Sequence, residues 1–222
     1  MNTRKFGETV EGYSLPVLNE REIRASAGIL FIVIFSAWMQ SLFFEDFLLV
    51  KYFITFFFTD FIIRVLVNPK YSPTLIIGRW IVSRQTPEYV GAAQKKFAWT
   101  IGLVLSTIMF FTLVVLNSYT IFTSLICLIC LIFLFFESAF GICLGCLFYP
   151  WFYKEKAQYC PGGICEVKAK KEIQKISLVQ IGIVFGFGAY ILFIAYFFNN
   201  NFSQQPNDTW GILSVALSKY VA

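Results

Sequence analysis

The stretch IFTSLICLICLIFLFFESAFGICLGCLFYPWFY, residues 121–153, decides which class of fold this chain adopts. Glu137 is the only charged residue in it. A helix needs about 20 apolar residues to cross the hydrocarbon core of a bilayer, and this run exceeds that length. Soluble proteins do not contain such runs, so the stretch indicates an integral membrane protein.

The rest of the chain carries the same signal. Of its 222 residues, 58% are hydrophobic and 27 are phenylalanines, with a mean hydropathy of +0.69. No polar stretch is long enough to form a separate soluble domain. We therefore predict an all-α, polytopic helical membrane bundle: one transmembrane domain over residues 25–198, between tails 1–24 and 199–222. Its five predicted transmembrane helices, four in the core and one at the C-terminus, cover about residues 25–44, 47–67, 97–117, 119–137 with a bent extension to 153, and 176–198.

Basic residues predict which side of the membrane each segment faces. Of the 18 lysines and arginines, 15 fall in the N-terminal tail, the loop after the second span and the loop before the last span. Lys and Arg resist translocation, so we place these segments in the cytoplasm and the C-terminal tail outside. The N-terminal tail lacks the short basic region and cleavage site of a signal peptide, so we expect it to be retained.

At 33 residues, the run over 121–153 is too long for one untilted helix and short for two helices with a turn. We predict a spanning helix to about Glu137, followed by a segment that bends along or back into the inner interface. Three residues would supply the bend: Gly141, Gly145 and Pro150. The alternative is one long tilted helix whose aromatic end lies among the headgroups. Both arrangements put Cys143 and Cys146 near the cytoplasmic face.

Shorter segments and one lysine are predicted to lie at the membrane surface. Residues 75–82 are too few to span and carry Arg79 and Trp80, which is typical of an interfacial amphipathic helix. Residues 210–222 are a candidate for a second such helix, on the outer face. Lys51 is close enough to the outer end of its span to reach the interface, so we assign it no function.

Six cysteines are the main source of chemistry, because the chain contains no histidine. This excludes Ser-His-Asp and Cys-His catalysis, His-bound haem and His-containing zinc sites. Cys127 and Cys130 lie in mid-helix among leucines and isoleucines, where cysteine behaves as a small hydrophobe. Cys143 and Cys146 form a C-x-x-C pair close to Glu137, a spacing that suits redox exchange, metal ligation or sulfur transfer.

The remaining pair, Cys160 and Cys165, brackets a Pro-Gly-Gly turn that can bring the two sulfurs together. These residues could relay electrons or sulfur for Cys143 and Cys146. Alternatively, the four thiolates together could hold zinc or an iron–sulfur cluster. No bound organic cofactor is predicted. In a reducing cytosol a permanent structural disulfide is not expected, whereas reversible thiol exchange or persulfide transfer is.

Charged residues inside the predicted spans are further candidates, because a charge at bilayer depth needs a partner or a function. Asp60 and Arg64 stand one turn apart on the same helix face, either as a packing pair or as part of an ion or substrate pathway. Glu137 has no basic neighbour in its own run, so we expect Arg64 or Arg79 to be its partner. A cluster of Glu137 and arginine beside Cys143 could move a proton or bind an anion, with Arg79 as the anion contact.

Five short motifs lie between about Ser41 and Trp151. They are Asp60-Phe-x-x-Arg64, Pro69, Ser72-Pro73, Lys96-Phe97-Ala98 with Gly102, and Glu137-x-x-Phe140-Gly141-x-Cys143-x-Gly145-Cys146. Together they resemble a family of small polytopic membrane proteins, mainly bacterial, that is classed as a domain of unknown function. The resemblance implies a bacterial inner-membrane protein of about four core helices. It also implies thiol or sulfur handling with a thioredoxin-like or sulfurtransferase partner, because members are often encoded near such proteins.

Three functions are open at this stage. The first is a membrane thiol protein in which Cys143 and Cys146 exchange disulfides or sulfur and Glu137 accepts a proton. The second is a small transporter or channel subunit for a sulfur-containing anion, acting as an oligomer. The third is a non-catalytic subunit whose cysteines bind metal or pack. Whether the protein is an enzyme is left open, and we expect membrane lipid but no nucleic acid among its partners.

Overall fold

A computed structural model describes residues 6–10, 13, 15–153 and 177–208. Over these residues the protein is an all-α bundle. In chain order, its elements are β1 (Val17–Asn19), α1 (Glu20–Phe44), α2 (Leu48–Ile62), α3 (Pro73–Ile81), β2 (Tyr89–Gly91), α4 (Ala92–Met109), β3 (Ser118–Tyr119), α5 (Ile121–Phe135), α6 (Leu144–Tyr153), α7 (Leu178–Phe202) and β4 (Asn207–Asp208). One widened, π-helical turn continues α2, α4 and α5 without a break, over Ile63–Val67, Phe110–Val115 and Phe136–Phe140. A 3₁₀ turn at Pro69–Tyr71 precedes α3.

Within the described ranges, four helices are long and apolar enough to cross a membrane: Glu20–Phe44, Ala92–Val115, Ile121–Phe140 and Leu178–Phe202. The second predicted span is also continuously helical, over residues 48–67. Every 18-residue stretch of it contains three charged side chains, Lys51, Asp60 and Arg64, whereas each of the other four helices has an 18-residue stretch with at most two. The chain is thus a helical membrane bundle, and a count of five spans stays a prediction.

The five long helices run in alternating directions between two ends of the bundle. We call one of these the cysteine end. There β1 pairs antiparallel with β2, which places the first turns of α1 and α4 side by side. Lys95 in the first turn of α4 also reaches Glu137, at the C-terminal end of α5. At the opposite end, β3 and β4 pair in parallel and join the loop before α5 to the chain after α7.

Lys51 ties three helices together at that opposite end. Its ammonium group donates hydrogen bonds to Asn117 Oδ1 at 2.7 Å and to the backbone carbonyl of Gln204 at 2.6 Å. Asn117 follows α4 and Gln204 follows α7, so one side chain of α2 holds both chain segments. Both acceptors lie within the protein, and only 1% of Lys51 is exposed. Its location at the membrane interface stays a prediction.

The run over residues 121–153 bends at Gly141. This glycine has a φ of +66°, in the left-handed region that favours glycine, and it ends the widened turn after α5. Helix α6 then turns back along α4. At their contact, a Cβ on Gly145 would lie 2.7 Å from Ala98 Cβ, so only glycine permits this approach. The structure has the bent arrangement rather than one long helix, and Pro150 lies inside α6 rather than at the bend.

The helix predicted over residues 75–82 is present as α3. Its inner face is buried against α1, where a Cβ on Gly78 would lie 2.5 Å from the carbonyl oxygen of Glu22. Trp80 and Ile81 are exposed on its other face. The helix therefore has one side against protein and one apolar side available to lipid. The second interfacial helix, predicted over residues 210–222, lies outside the described residues.

Candidate thiol–disulfide site

Cys143 and Cys146 lie with their sulfurs at disulfide-bonding distance and their Cα atoms 5.2 Å apart. Cys143 immediately precedes α6, and Cys146 stands in its first turn. A spacing of three residues across a helix start brings the two side chains to the same side. Local chain geometry alone therefore makes the pair, and the bend at Gly141 delivers it to the cysteine end of the bundle.

The two cysteines differ in their surroundings. Cys146 is buried, with 2% of its surface exposed, whereas Cys143 is half-buried. The backbone N–H of Cys146 donates to Cys143 Sγ at 3.3 Å. A hydrogen bond from a helix N-terminus favours negative charge on the sulfur that accepts it. Cys143 is therefore the more accessible sulfur and the one better placed to carry charge.

A cavity of about 260 Å³, which we call the disulfide cavity, opens beside the pair. Its lining includes Glu20 and Arg24 of α1, Lys95 of α4, Gly141 and both cysteines. Tyr89 of β2 also contributes to the wall. Burial raises the pKa of Tyr89 to about 12, so its phenol stays neutral near pH 7. The cavity thus combines a redox-capable sulfur pair with charged side chains of both signs.

Lys95, in the lining of this cavity, holds two acidic side chains. Its ammonium group lies 2.8 Å from Glu20 Oε2 and donates a hydrogen bond to Glu137 Oε1. Lys95 and Glu20 are almost fully buried, and Glu137 is nearly so. Each buried charge therefore has an opposite one within reach, which offsets part of the cost of removing it from water.

The partner of Glu137 is Lys95, and the prediction of Arg64 or Arg79 was wrong. The predicted third span began at residue 97, which left Lys95 in a loop. In the structure α4 begins at Ala92, so Lys95 belongs to the helix and points into the bundle. Glycine is accepted at a helix N-cap and alanine favours a helix, so Gly91-Ala92-Ala93 could have indicated this earlier start. Nothing in the sequence identifies Glu137 as the partner of Lys95.

Arg24 lines the disulfide cavity and was not singled out from the sequence. Its nearest acidic atoms are Glu20 Oε1 at 3.6 Å and Glu88 Oε2 at 4.0 Å. Its guanidinium group packs on Gly141, where a Cβ would collide with it. The glycine that bends the chain therefore also leaves the room that Arg24 occupies, two residues before Cys143.

A second, smaller cavity of about 60 Å³ lies on the inner side of Cys143. Glu137, Arg64, Trp99 and Cys130 also contribute to its lining. A space of this size with polar groups in its wall is large enough to admit water. Cys130, predicted to be inert with Cys127, therefore shares a cavity with Cys143, while Cys127 is buried in the core.

Asp60 and Arg64 form a buried clamp for the start of α3. Arg64 Nε lies 2.7 Å from Asp60 Oδ2, and Ser72 Oγ donates to Asp60 Oδ1 at 2.7 Å. Thr74 donates to the same carboxylate through its hydroxyl and its backbone N–H. The second guanidinium nitrogen donates to Ser26 of α1 and to Thr74. Every oxygen of Asp60 is thereby satisfied, which is the arrangement of a structural ion pair.

Arg79, predicted as an anion contact, lies in a separate cluster. Its Nε is 3.0 Å from Glu22 Oε2, and its Nη2 is 3.4 Å from Glu8 Oε1. Burial raises the pKa of the Glu8 carboxyl, and the nearby positive charge of Arg79 opposes that shift. Arg79 therefore contacts anionic groups of the protein itself, and a role with an external anion stays a prediction.

Cys160 and Cys165 lie outside the described residues, so the structure does not bear on their predicted relay or metal role. Within the described ranges, no group of three or more cysteine and carboxylate side chains is arranged to hold a metal ion. A zinc or iron–sulfur site that combines Cys143 and Cys146 with the other pair thus stays a prediction.

Comparison with known proteins identifies a family. No curated protein and no solved structure is significantly similar to the chain. A family model, described as a domain of unknown function (DUF4395), matches residues 18–154, which is more than half of the chain. The match covers α1 to α6 and therefore includes Cys143, Cys146 and the residues around them. The chain belongs to the DUF4395 family.

Proposed function

We propose that the protein exchanges disulfides with a dithiol partner through Cys143 and Cys146. One observation carries the proposal: the two sulfurs lie at bonding distance in the wall of a cavity large enough to receive another side chain. A C-x-x-C pair at a helix start, with one accessible and one buried cysteine, suits this chemistry. The charged groups beside the pair add the means to stabilise a thiolate.

The exchange proceeds in two balanced steps. A thiolate of the partner attacks Cys143 Sγ; the bond between Cys143 and Cys146 breaks, and its electron pair leaves on Cys146, which takes up a proton. The partner's second thiol, as its thiolate, then attacks its own sulfur in the mixed disulfide. Cys143 is released as a thiolate and takes up the second proton. Two electrons and two protons thereby pass from the dithiol to the cysteine pair, and the partner becomes a disulfide.

The surrounding residues support each step of this scheme. The half-buried Cys143 is the sulfur that an incoming thiolate can reach, whereas Cys146 is the buried leaving group. The N–H of Cys146 favours the charge on Cys143 when that sulfur is released. Glu137 lines the inner cavity with Cys143, so in the oxidising direction its carboxylate can take the thiol proton through water.

We further propose that this site faces the cytoplasm from a bacterial inner membrane, with the C-terminus outside. The distribution of basic residues along the sequence supports this orientation, because 15 of the 18 fall in the N-terminal tail, the loop after the second span and the loop before the last span. A thioredoxin-like protein is the kind of partner that could supply or take up the electron pair there. Membrane lipid surrounds the apolar faces of the helices.

The geometry favours no pathway role for Asp60 and Arg64. Both are buried and saturated by hydrogen bonds from α1, α2 and α3, so moving an ion past them would break the clamp. This supports the packing interpretation of the pair. The transporter alternative therefore has no observation of its own in its favour.

Incubation with a reduced thioredoxin-type dithiol protein tests the proposal. The purified chain, with Cys127, Cys130, Cys160 and Cys165 replaced by alanine, is treated and then labelled with a maleimide mass tag. We expect two tags per chain after treatment and none before it. With the Cys143–Cys146 disulfide intact, a partner whose second cysteine is replaced by serine should be recovered as a mixed disulfide on Cys143. The proposal would be refuted if no tag were added after treatment with the partner protein, or if none were added after treatment with dithiothreitol.

A further inference from the structure

We propose that Arg24 forms an anion-binding subsite in the disulfide cavity, so that the preferred substrate is a thiol with an acidic group near its sulfur. This inference rests on the proposed function, because it names the substrate class of the same site. It concerns a residue that lies 119 positions away from Cys143 in the chain and that no motif marks.

The position of Arg24 carries the first part of the argument. Its guanidinium group packs on Gly141, and a Cβ at that position would collide with three of its atoms, so the side chain fills a place that glycine leaves open. Gly141, Cys143 and Arg24 all line the disulfide cavity. Arg24 also keeps 40% of its side chain exposed, while its Nε is buried without a hydrogen-bond partner.

The charges around the cavity carry the second part. Lys95 is engaged by Glu20 and Glu137, as described above. Glu88 accepts two hydrogen bonds from Arg21, at 3.0 and 2.6 Å. Arg24, by contrast, stands 3.6 and 4.0 Å from its nearest carboxylate oxygens and makes no hydrogen bond to any residue that the structure describes.

Of the two cations that line the cavity, Arg24 is therefore the one whose Nη groups are available to a ligand. Guanidinium groups bind carboxylates in a planar, two-pronged geometry. At about 260 Å³ the cavity is smaller than the range typical of drug-sized ligands, which suits one amino-acid-sized group. A carboxylate beside a thiol meets both requirements. It can come from a small thiol acid or from an acidic residue next to the cysteine of a partner protein.

Two rate measurements on the purified full chain test the subsite, both with Cys127, Cys130, Cys160 and Cys165 replaced by alanine. The first measures reduction of the disulfide by mercaptoacetate and by neutral 2-mercaptoethanol, and by the peptides Glu-Cys-Glu and Gln-Cys-Gln. The second adds Cys146→Ser and measures alkylation of Cys143 by iodoacetate and by neutral iodoacetamide. In both, we expect Arg24→Gln to lower the anionic-to-neutral rate ratio about fivefold, because a nearby positive charge is lost.

Two variants control for folding and for general charge. Arg24→Lys, which retains the charge, should keep most of the preference, and Arg84→Gln, in the exposed loop after α3, should leave it unchanged. If only mercaptoacetate is preferred over its neutral counterpart, the substrate of the site is a small thiol acid. If Glu-Cys-Glu is preferred over Gln-Cys-Gln as well, the substrate is a partner protein with acidic residues next to its cysteine. Equal ratios in Arg24→Gln and the parent protein would overturn the inference. Alkylation needs no redox step. If Cys143 is alkylated with this preference but no thiol reduces the disulfide, the proposed function is refuted and the anion-binding subsite stands.

Discussion

Lys95 is the cation that neutralises the buried carboxylates near the disulfide. It is 3% exposed and is the shared partner of Glu20 and Glu137, which come from the two helices on either side of α4. Without it, two buried carboxylates would face each other across a space of low polarity. The side chain of the neighbouring Lys96 points away from the two carboxylates: it is exposed and lies over the ring of Phe6.

We expect Lys95→Met to lower the free energy of unfolding by about 3–5 kcal/mol, because it leaves two carboxylates without their partner. Lys96→Met should cost about 1 kcal/mol or less, as expected for an exposed cation over an aromatic ring. Thermal or denaturant unfolding in detergent measures both. Adding Glu137→Gln to Lys95→Met should recover part of the loss. Equal stability of the two lysine variants would contradict the assignment of Lys95 as a buried partner.

The contact between α6 and α4 decides whether the cysteines reach the cavity. Gly145 makes this contact possible, because a Cβ there would lie 2.7 and 2.9 Å from the Cβ and Cα atoms of Ala98. The same helix carries Cys146, one residue further on. The glycines of α7 differ from Gly145. At Gly182, Gly186 and Gly188, an added Cβ would have no atom of the described residues within 4 Å.

We expect Gly145→Ala to displace α6 and to lower the free energy of unfolding by about 1–3 kcal/mol, the range for overpacking. Gly182→Ala should be neutral or slightly stabilising, because alanine favours a helix interior where space is open. The readouts are unfolding and the rate at which the Cys143–Cys146 disulfide is reduced. A Gly145→Ala protein with unchanged stability and reduction rate would show that the close approach of the two helices is not required.

The arrangement of the five long helices makes a prediction about sidedness. Their alternating directions place Gln85, in the loop after α3, and Ser203, after α7, at opposite ends of the bundle. Both residues are exposed. In a background without native cysteines, we expect a membrane-impermeant maleimide to label Ser203→Cys in intact bacterial cells and to label Gln85→Cys only after the cells are opened. Labelling of both positions from the same side would contradict the five-span topology.

The helical membrane bundle could be predicted from the sequence, because an apolar run of about 20 residues is typical of a membrane-spanning helix. The bend after Glu137 was also accessible, since Gly141 has no side chain to oppose a left-handed backbone. The pairing of Cys143 with Cys146 follows from their spacing at a helix start. These features are local, and local sequence is enough to specify them.

The charge partners could not be predicted, because they depend on which helix faces which. Arg24, Glu88 and Lys95 come from separate parts of the chain and meet only when β1 pairs with β2. The partners of Lys51 could not be predicted for the same reason: its acceptors, Asn117 and Gln204, are 66 and 153 residues away. Periodicity and hydropathy place a charge along a helix but do not name its partner.

A redox titration in thiol–disulfide buffers tests the proposed exchange most directly, on the full chain with Cys127, Cys130, Cys160 and Cys165 replaced by alanine. Maleimide mass tags report the state of Cys143 and Cys146 at each ratio of reduced to oxidised glutathione, with Cys143→Ser as the matched control. We predict one reversible two-electron transition, reached from both the oxidised and the reduced side, that Cys143→Ser abolishes. A pair that stays in one state across all ratios, or a transition that survives in Cys143→Ser, would contradict it.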